Sequence, residues 1–213
     1  MNKKLEEIWY QVPPDYYEKG LKTNLFQFIW HTWKWLTMKK ILQNLNPKPA
    51  KILDIGCASG HITAKLAIFF PQTQVYGLDS YERAVRLGQK LHPEINFKVG
   101  DAHKLPFTAG TFDLITCVET LEHLENPEIA MAEIKRVLKK KGKLLVGQDT
   151  DNKLFRLIWF FWTKGRGKVW RGSHVHPLNV KELEKLIIKT GLKIKLKMLS
   201  HLSLEIFFLV VKS

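Results

Sequence analysis

Cysteine is nearly missing from this chain: 213 residues hold two, Cys57 and Cys117. They match no metal-ligand spacing and no framework of paired bridges, which excludes a disulfide-stapled or cysteine-metal scaffold and leaves two reduced thiols. Long apolar runs are missing too. The longest in the aromatic flanks, Leu157 to Trp162, has six residues, far below the roughly 20 that a membrane-spanning helix takes. The start, MNKKLEEIW, lacks the apolar stretch and small-residue cleavage site of a secretory signal, so a cytosolic chain is expected. Neither G-x-x-x-x-G-K-S/T nor G-x-G-x-x-G occurs, which excludes those two phosphate-binding fingerprints. Internal repeats and low-complexity linkers are absent as well.

Two further absences are local. None of the seven tryptophans lies between residues 50 and 150: Trp9, Trp30, Trp33 and Trp35 come before, Trp159, Trp162 and Trp170 after. Acidic side chains are scarce after residue 150, four against 13 basic ones. The net charge of +14 invites a nucleic-acid reading when taken whole. Divided along the chain, the excess is +4 for residues 1–50, +1 for 51–149 and +9 for 150–213. A nearly neutral middle is thus flanked by two basic, aromatic segments. At 45% hydrophobic residues the chain can bury a core, and its length fits one large domain, with or without additions.

Leu21, Leu25, Phe28, Ile29, Leu36 and Ile41 recur at helical spacing after Thr23-Asn24, and Pro47 and Pro49 end the run. A helical N-terminal cap over residues 1–49 is therefore predicted. From Lys51 short β-rich runs alternate with helical stretches: KILDI, a helix to about Phe70, QVYGLD, a helix from Ser80 to about Lys90, INFKV, DLITCV, a helix from about Pro127 to Lys139 broken at Gly142, and KLLVG. Such alternation predicts an α/β domain over residues 50–213, a parallel sheet with helices on both faces. The pattern pauses over about 150–178, read as an inserted lid. It resumes with a helix from Val180 to Thr190 and closes with LKIKLKML and LEIFFLVV, an antiparallel hairpin at the sheet edge turning near Ser200.

The sharpest local signal is KILDIGCASG, a strand entering a glycine-containing turn that opens a helix. Glycines let backbone approach a ligand, and the helix start supplies amide donors. Asp54 precedes Gly56 where it would repel a pyrophosphate but could accept from an ammonium. Asp79 closes the second strand, where a carboxylate can take both ribose hydroxyls, and Asp101 closes the third, placed for an adenine amino group. Three acids at successive strand ends describe a pocket for a cationic nucleoside.

With ILDIGCASG, VYGLDS, VGDAHKLPFTAGTFDLITCVETLEHL and EIKRVLKKKGKLLVG in order, the chain resembles class I S-adenosylmethionine-dependent methyltransferases of the small-molecule kind, most strongly over about residues 50–149. The resemblance implies a Rossmann-like seven-stranded sheet whose last strand is antiparallel. It implies S-adenosylmethionine as cofactor, with Asp54, Gly56, Cys57, Ala58, Ser59 and Gly60 around the methionine part. Asp79 and Ser80 would meet the ribose, Asp101 and Ala102 the adenine, and Val118 would wall the sulfonium. Ala58 departs from the pattern, since the family often has a third glycine there.

Glu119, Glu122 and His123 follow the fourth strand; on a helical turn they would share a face. The E-x-x-E-H segment resembles quinone-biosynthesis O-methyltransferases, and that resemblance implies a divalent metal such as Mg held near the acceptor phenol. The plainer reading turns Glu122 to solvent and His123 to the substrate, where His123 is the best-placed proton acceptor. His174 and His176 in SHVHP could also point into the cavity from the lid, but H-x-H in a loop before a helix reads first as structural or exposed; His61 and His103 read as surface or helix residues. In related enzymes the flanks close over the acceptor. FIWHTWKW and LIWFFW, beside Lys164, Arg166, Lys168 and Arg171, have the composition of a surface on anionic lipid. A lipophilic or membrane-associated small-molecule acceptor and O-methylation are expected. The alternatives are an RNA methyltransferase using the basic C-terminal third, a cofactor-binding protein without turnover, and aromatics that only pack the cap to the core.

Overall fold

A computed structural model describes residues 3–165 and 167–213. Seven strands, β1 (Lys51–Ile55), β2 (Gln74–Asp79), β3 (Asn96–Val99), β4 (Phe112–Val118), β5 (Leu138–Asp149), β6 (Lys193–Ser200) and β7 (Glu205–Val211), form one sheet. Its order is β3-β2-β1-β4-β5-β7-β6. Neighbours are parallel except β7, which is antiparallel to both β5 and β6. The closing hairpin is present, but its final strand lies inside the sheet and β6 forms the edge. This is the expected seven-stranded α/β fold.

Central strands are apolar at consecutive positions, so both faces need cover. Ile52 and Leu53, Leu114 and Ile115, and Phe207 and Phe208 alternate between two buried clusters. On one face α6 (Pro127–Val137) and α8 (Val180–Lys189) bring Met131, Ile134, Leu183 and Ile187 against Leu53 and Phe208. On the other, α3 (Leu25–Leu42), α4 (His61–Phe69) and α5 (Glu82–Leu91) bring Met38, Leu42, Leu66 and Val85 against Ile52 and Phe207. Truncating a fully buried residue such as Leu53 to Ala would cost about 2–5 kcal/mol.

Two predicted boundaries move for local reasons. The helix expected from Ser80 starts at Glu82, because the Asp79 carboxylate accepts the Tyr81 N–H at 2.9 Å and holds a turn first. The helix expected to reach Lys139 ends at Val137, and strand begins at Leu138, which pairs with Phe112 ahead of a register shift. Gly142 therefore lies within β5 and terminates no helix.

The N-terminal cap comprises α1 (Lys3–Gln11), α2 (Tyr16–Thr23) and α3. Asn24 caps α3, accepting from the Phe26 and Gln27 N–H groups. The face of α3 differs from the reading. Leu25, Phe28, Ile29 and Leu36 are exposed, whereas Gln27, His31 and Lys34 are buried along with Met38, Ile41 and Leu42. Only the last turns of α3 meet the hydrophobic core; its first turns overlie the ends of the strands, where polar groups have partners. The segment between β5 and α8 carries α7 (Lys153–Lys164) and a 3-10 turn at Lys168–Trp170. Trp170 reaches the cap, with its ring 5.6 Å from that of Trp9.

Candidate active site

The sheet order reverses between β1 and β4, and ligands of such sheets sit at the strand C-termini beside that point. Here the turn after β1 runs through Gly56 (φ 75°), Ala58 (φ 46°) and Gly60 (φ 92°), which caps α4. A Cβ at Gly56 would collide with the Thr120 side chain. Ala58 adopts the left-handed conformation at a cost of about 1 kcal/mol, and its N–H donates to Asp79 Oδ2 at 2.8 Å. Asp79 thus accepts one amide on each oxygen, Ala58 on Oδ2 and Tyr81 on Oδ1. Burial raises its pKa, opposed by these amides.

A cavity of about 340 Å3 lies above this turn. Of the residues expected around the cofactor, Gly56, Ala58, Asp79, Ser80, Asp101 and Ala102 line it. Asp54 does not. Its carboxylate is buried and accepts from Thr63 Oγ1 at 2.7 Å and Thr116 Oγ1 at 2.6 Å, tying α4 to β4. Burial lifts its pKa to about 6. Cys57, Ser59, Gly60 and Val118 are likewise outside the lining. Cys57 packs under Gly77, Ser59 is fully buried, Gly60 abuts Phe97, and Val118 joins the core. Cys57 and Ser59 interleave with Gly56 and Ala58 and support them from beneath, whereas Asp54 is taken up by the two threonines.

Asp101 Oδ1 accepts the His103 N–H at 2.9 Å and lies 2.6 Å from its Nδ1. Burial pushes the Asp101 pKa up, but the His103 amide and ring outweigh it and hold it below the usual range. His103 therefore lines the cavity and is no bystander. The N-terminal segment roofs the same space with Trp9, Val12, Pro13, Tyr16 and Tyr17. Tyr81 Oη donates to the Val12 carbonyl at 2.7 Å and fastens that roof.

A second cavity of about 110 Å3 adjoins the first. Its walls include Phe26, Trp30 and His31 of α3, and Phe155, Ile158, Trp159 and Trp162 of α7. Tyr16, Tyr17, Glu119, His123 and Trp170 border both spaces. Four tryptophans, Trp30, Trp159, Trp162 and Trp170, thus line one small volume.

Glu119, Glu122 and His123 do not form the triad that an α-helical turn would make. The chain takes a left-handed step at Glu119 (φ 50°) and then a 3-10 turn at Leu121–His123. Glu119 points to α3, ion-paired with Lys34 and receiving the Trp30 Nε1–H at 3.4 Å. Burial alone would raise its pKa; Lys34, then His31, bring it down to about 2. Lys34 is only 2% exposed and also lies 3.6 Å from Glu205, which contacts His201 Nδ1 at 2.9 Å.

Glu122 is 2% exposed, which overturns the solvent-facing reading, and its Oε2 has no hydrogen-bond partner. Burial, then Asp149, pushes its pKa well up. Asp149, at the end of β5, is raised to about 7 by burial and then Glu119. His123 Nδ1 sits 2.9 Å from the Ser173 carbonyl. A carbonyl only accepts, so Nδ1 carries the proton and Nε2 keeps its lone pair. Burial keeps His123 below its ordinary pKa. His174, read as structural, stands 5.1 Å from His123 ring to ring, stacks on Trp159 at 4.6 Å and is lowered to about 4 by burial and then His123. Among the described residues, Glu122, His123 and His174 offer ligand atoms within 4.8 Å of one another. His174 thus takes the place in the cluster expected for Glu119. Lys34, Tyr17, Thr120 and Asp149 carried no motif in the sequence; a lone lysine inside FIWHTWKW is the one irregularity that marks α3.

Residues 53–146 match the family described as a methyltransferase domain. The chain is 33% identical over 102 residues to the demethylmenaquinone methyltransferase of Thermotoga maritima, covering 48% of this chain and 44% of that protein. It is 29% identical over 119 residues to the malonyl-acyl-carrier-protein O-methyltransferase of Legionella pneumophila, covering 53% and 42%. The chain spans about half the length of the curated relatives it matches. A solved Pyrococcus horikoshii protein shares the fold at a TM-score of 0.73, covering 96% of this chain and 98% of that one at 18% identity. Residues 53–146 thus carry a methyltransferase domain, and that family implies S-adenosylmethionine as cofactor.

Proposed function

We propose that this chain transfers the methyl group of S-adenosylmethionine to an oxygen of a small lipophilic acceptor at an anionic membrane surface. One observation carries the reading: the motif-bearing cavity and an aromatic cavity meet at His123, whose Nε2 is free to take a proton. The cofactor supplies an electrophilic methyl on a sulfonium. Gly56 and Ala58 would hold its methionine part, Asp79 and Ser80 the ribose, and Asp101 and Ala102 the adenine.

A hydroxyl must lose its proton as it attacks, and His123 Nε2 takes it while the Ser173 carbonyl fixes the ring. Glu122 and Asp149, both raised toward the protonated state, donate hydrogen bonds to the acceptor oxygen where ionised carboxylates would repel it. Trp30, Trp159 and Trp170 exclude water and suit a flat apolar body. The relative named for demethylmenaquinone supports a lipophilic acceptor, and the one named as an O-methyltransferase supports oxygen. An RNA substrate fits less well, because Glu119, Glu122 and Asp149 line the acceptor cavity and no described Lys or Arg does.

A second reading rests on the Glu122, His123 and His174 cluster. Two imidazoles and one carboxylate suit a transition metal better than Mg, and the Ser173 carbonyl on Nδ1 is the support a ligating His123 would have. The two readings compete for one lone pair. Incubation of labelled cofactor with cell extract, followed by organic and aqueous partition, tests the function. Label in the organic phase, insensitive to chelators and lost in His123→Gln, is expected. Aqueous label alone overturns the lipophilic acceptor, chelator loss favours the metal, and cofactor binding without any turnover favours the non-catalytic alternative.

A further inference from the structure

Over its first turns α3 buries Gln27, His31 and Lys34, and apolar residues face outward on its other side: Leu25 is 72% exposed, and Ile29 and Leu36 are also exposed. Helix α7 does the same with Leu157 and with Phe161, 63% exposed. Between them lies the turn at His201–Ser203, whose Leu202 is 81% exposed. These three segments are neighbours. The Phe26 and Trp162 rings join α3 to α7 at 5.4 Å. Thr37 Oγ1 and Ser200 Oγ, 2.8 Å apart, join α3 to the turn. Asn152 Nδ2, at the cap of α7, donates to the Ser203 carbonyl at 2.8 Å.

His201, Leu202 and Ser203 all hold left-handed φ values of 50°, 56° and 71°. Three consecutive non-glycine residues in that region are costly, and stability alone does not call for a fully presented leucine at the tip. Charge completes the pattern. Neither α3 nor α7 contains an acidic residue, while Lys39, Lys40, Lys153 and Lys164 are exposed along them and Arg156 pairs with Asp151, just ahead of α7. No described helix is long and apolar enough to cross a membrane. An apolar face fringed with cations suits a helix lying in the interface of an anionic bilayer.

We infer that α3, the His201–Ser203 turn and α7 form one face that docks on anionic lipid, with the acceptor cavity directly beneath it. The inference rests on the lipophilic acceptor proposed above and specifies how it arrives. Phe26 and Trp30 on one side, and Ile158 and Trp162 on the other, belong both to the docking helices and to the cavity wall. An acceptor dissolved in the bilayer reaches His123 between two aromatic helices without crossing bulk water. The Lys34 pair with Glu119 and Glu205 anchors α3, and His201 Nε2 donates to the Trp30 carbonyl at 2.6 Å, so the face and the active-site turn are one assembly.

The test is co-sedimentation of the full chain with phosphatidylcholine vesicles with and without phosphatidylglycerol, at low and high salt. Binding that needs the anionic lipid and weakens with salt is expected, falling at least about tenfold in the double variant Leu202→Asp, Phe161→Asp. Calorimetry with S-adenosylmethionine should give the same affinity for variant and wild type, which keeps a folding defect distinct. No wild-type sedimentation, or equal binding by the variant, overturns the inference. So does a wild-type dimer that the substitutions disperse, which would assign the face to a second copy, or RNA binding in place of vesicle binding. Methyl transfer to a detergent-dispersed acceptor is read separately; if it persists while vesicle binding fails, the docking face and the membrane location are wrong and the transfer to a lipophilic acceptor stands.

Discussion

The middle of the chain and its flanks solve two different binding problems. Residues 51–149 carry a charge excess of +1 and no tryptophan, and they line their cavity with a glycine turn and the acids Asp79 and Asp101 near strand ends. The flanks hold every tryptophan and almost all the excess charge, and they wall the second cavity with aromatic side chains. Cofactor recognition is built within neighbouring strands, so its parts lie close in sequence. The acceptor cavity needs α3 and α7, more than a hundred residues apart, and exists only when both fold onto the strand ends.

The strongest way to break this contrast is at Lys34, a buried charge that joins the regions. Lys34→Met leaves Glu119 and Glu205 uncompensated and should destabilise the protein by about 3–5 kcal/mol; thermal unfolding measures it, and adding Glu119→Gln should restore part of the loss. An unchanged melting temperature would mean that the cap is not anchored through this network. His123→Gln comes next, expected to lower kcat by about 100- to 10,000-fold while calorimetry shows cofactor affinity retained. Asp79→Ala should do the reverse, weakening cofactor binding by roughly 100-fold, since a half-buried carboxylate holding two amides is removed.

A smaller effect concerns pH. The folded pKa of Asp149, about 7, lies above its ordinary 3.8. The folded state therefore holds more protons than the unfolded one between those values, and Asp149 makes stability fall as pH rises through that window. His174, lowered from 6.5 to about 4, acts oppositely, so stability rises with pH from about 4 to 6.5. In Asp149→Asn the falling contribution is gone, and the melting temperature should gain on wild type from pH 4 to 7 and run parallel above. Parallel curves throughout would show that Asp149 is not held protonated. The smallest change sharpens the cofactor side. Ala58→Gly relieves a left-handed alanine worth about 1 kcal/mol, roughly 2–4 °C for a chain of this size.

Period and punctuation carried most of the fold. KILDI, QVYGLD and DLITCV are apolar at consecutive positions because both sheet faces are covered, and LEIFFLVV reads the same way for the same reason. The α3 stripe misled because periodicity reports that one face differs from the other, not which one turns inward. Here the inward face meets Glu119, Tyr17 and a cavity, where Gln27, His31 and Lys34 are useful. Likewise E-x-x-E-H spacing promises a shared face only on an α-helix, and the left-handed step at Glu119 cancels that promise.

What the sequence determined by itself was local: the strand–turn–helix at Gly56, the carboxylates Asp79 and Asp101 at strand ends, and His123 after β4, each set by backbone geometry within a few residues. Only the tertiary structure decided that Asp54 braces while Asp79 faces the cavity, that Lys34 claims Glu119, and that His174 stands beside His123. Burial, charge pairing and proton affinity depend on what the rest of the chain brings near, and spacing along the chain does not contain that distance.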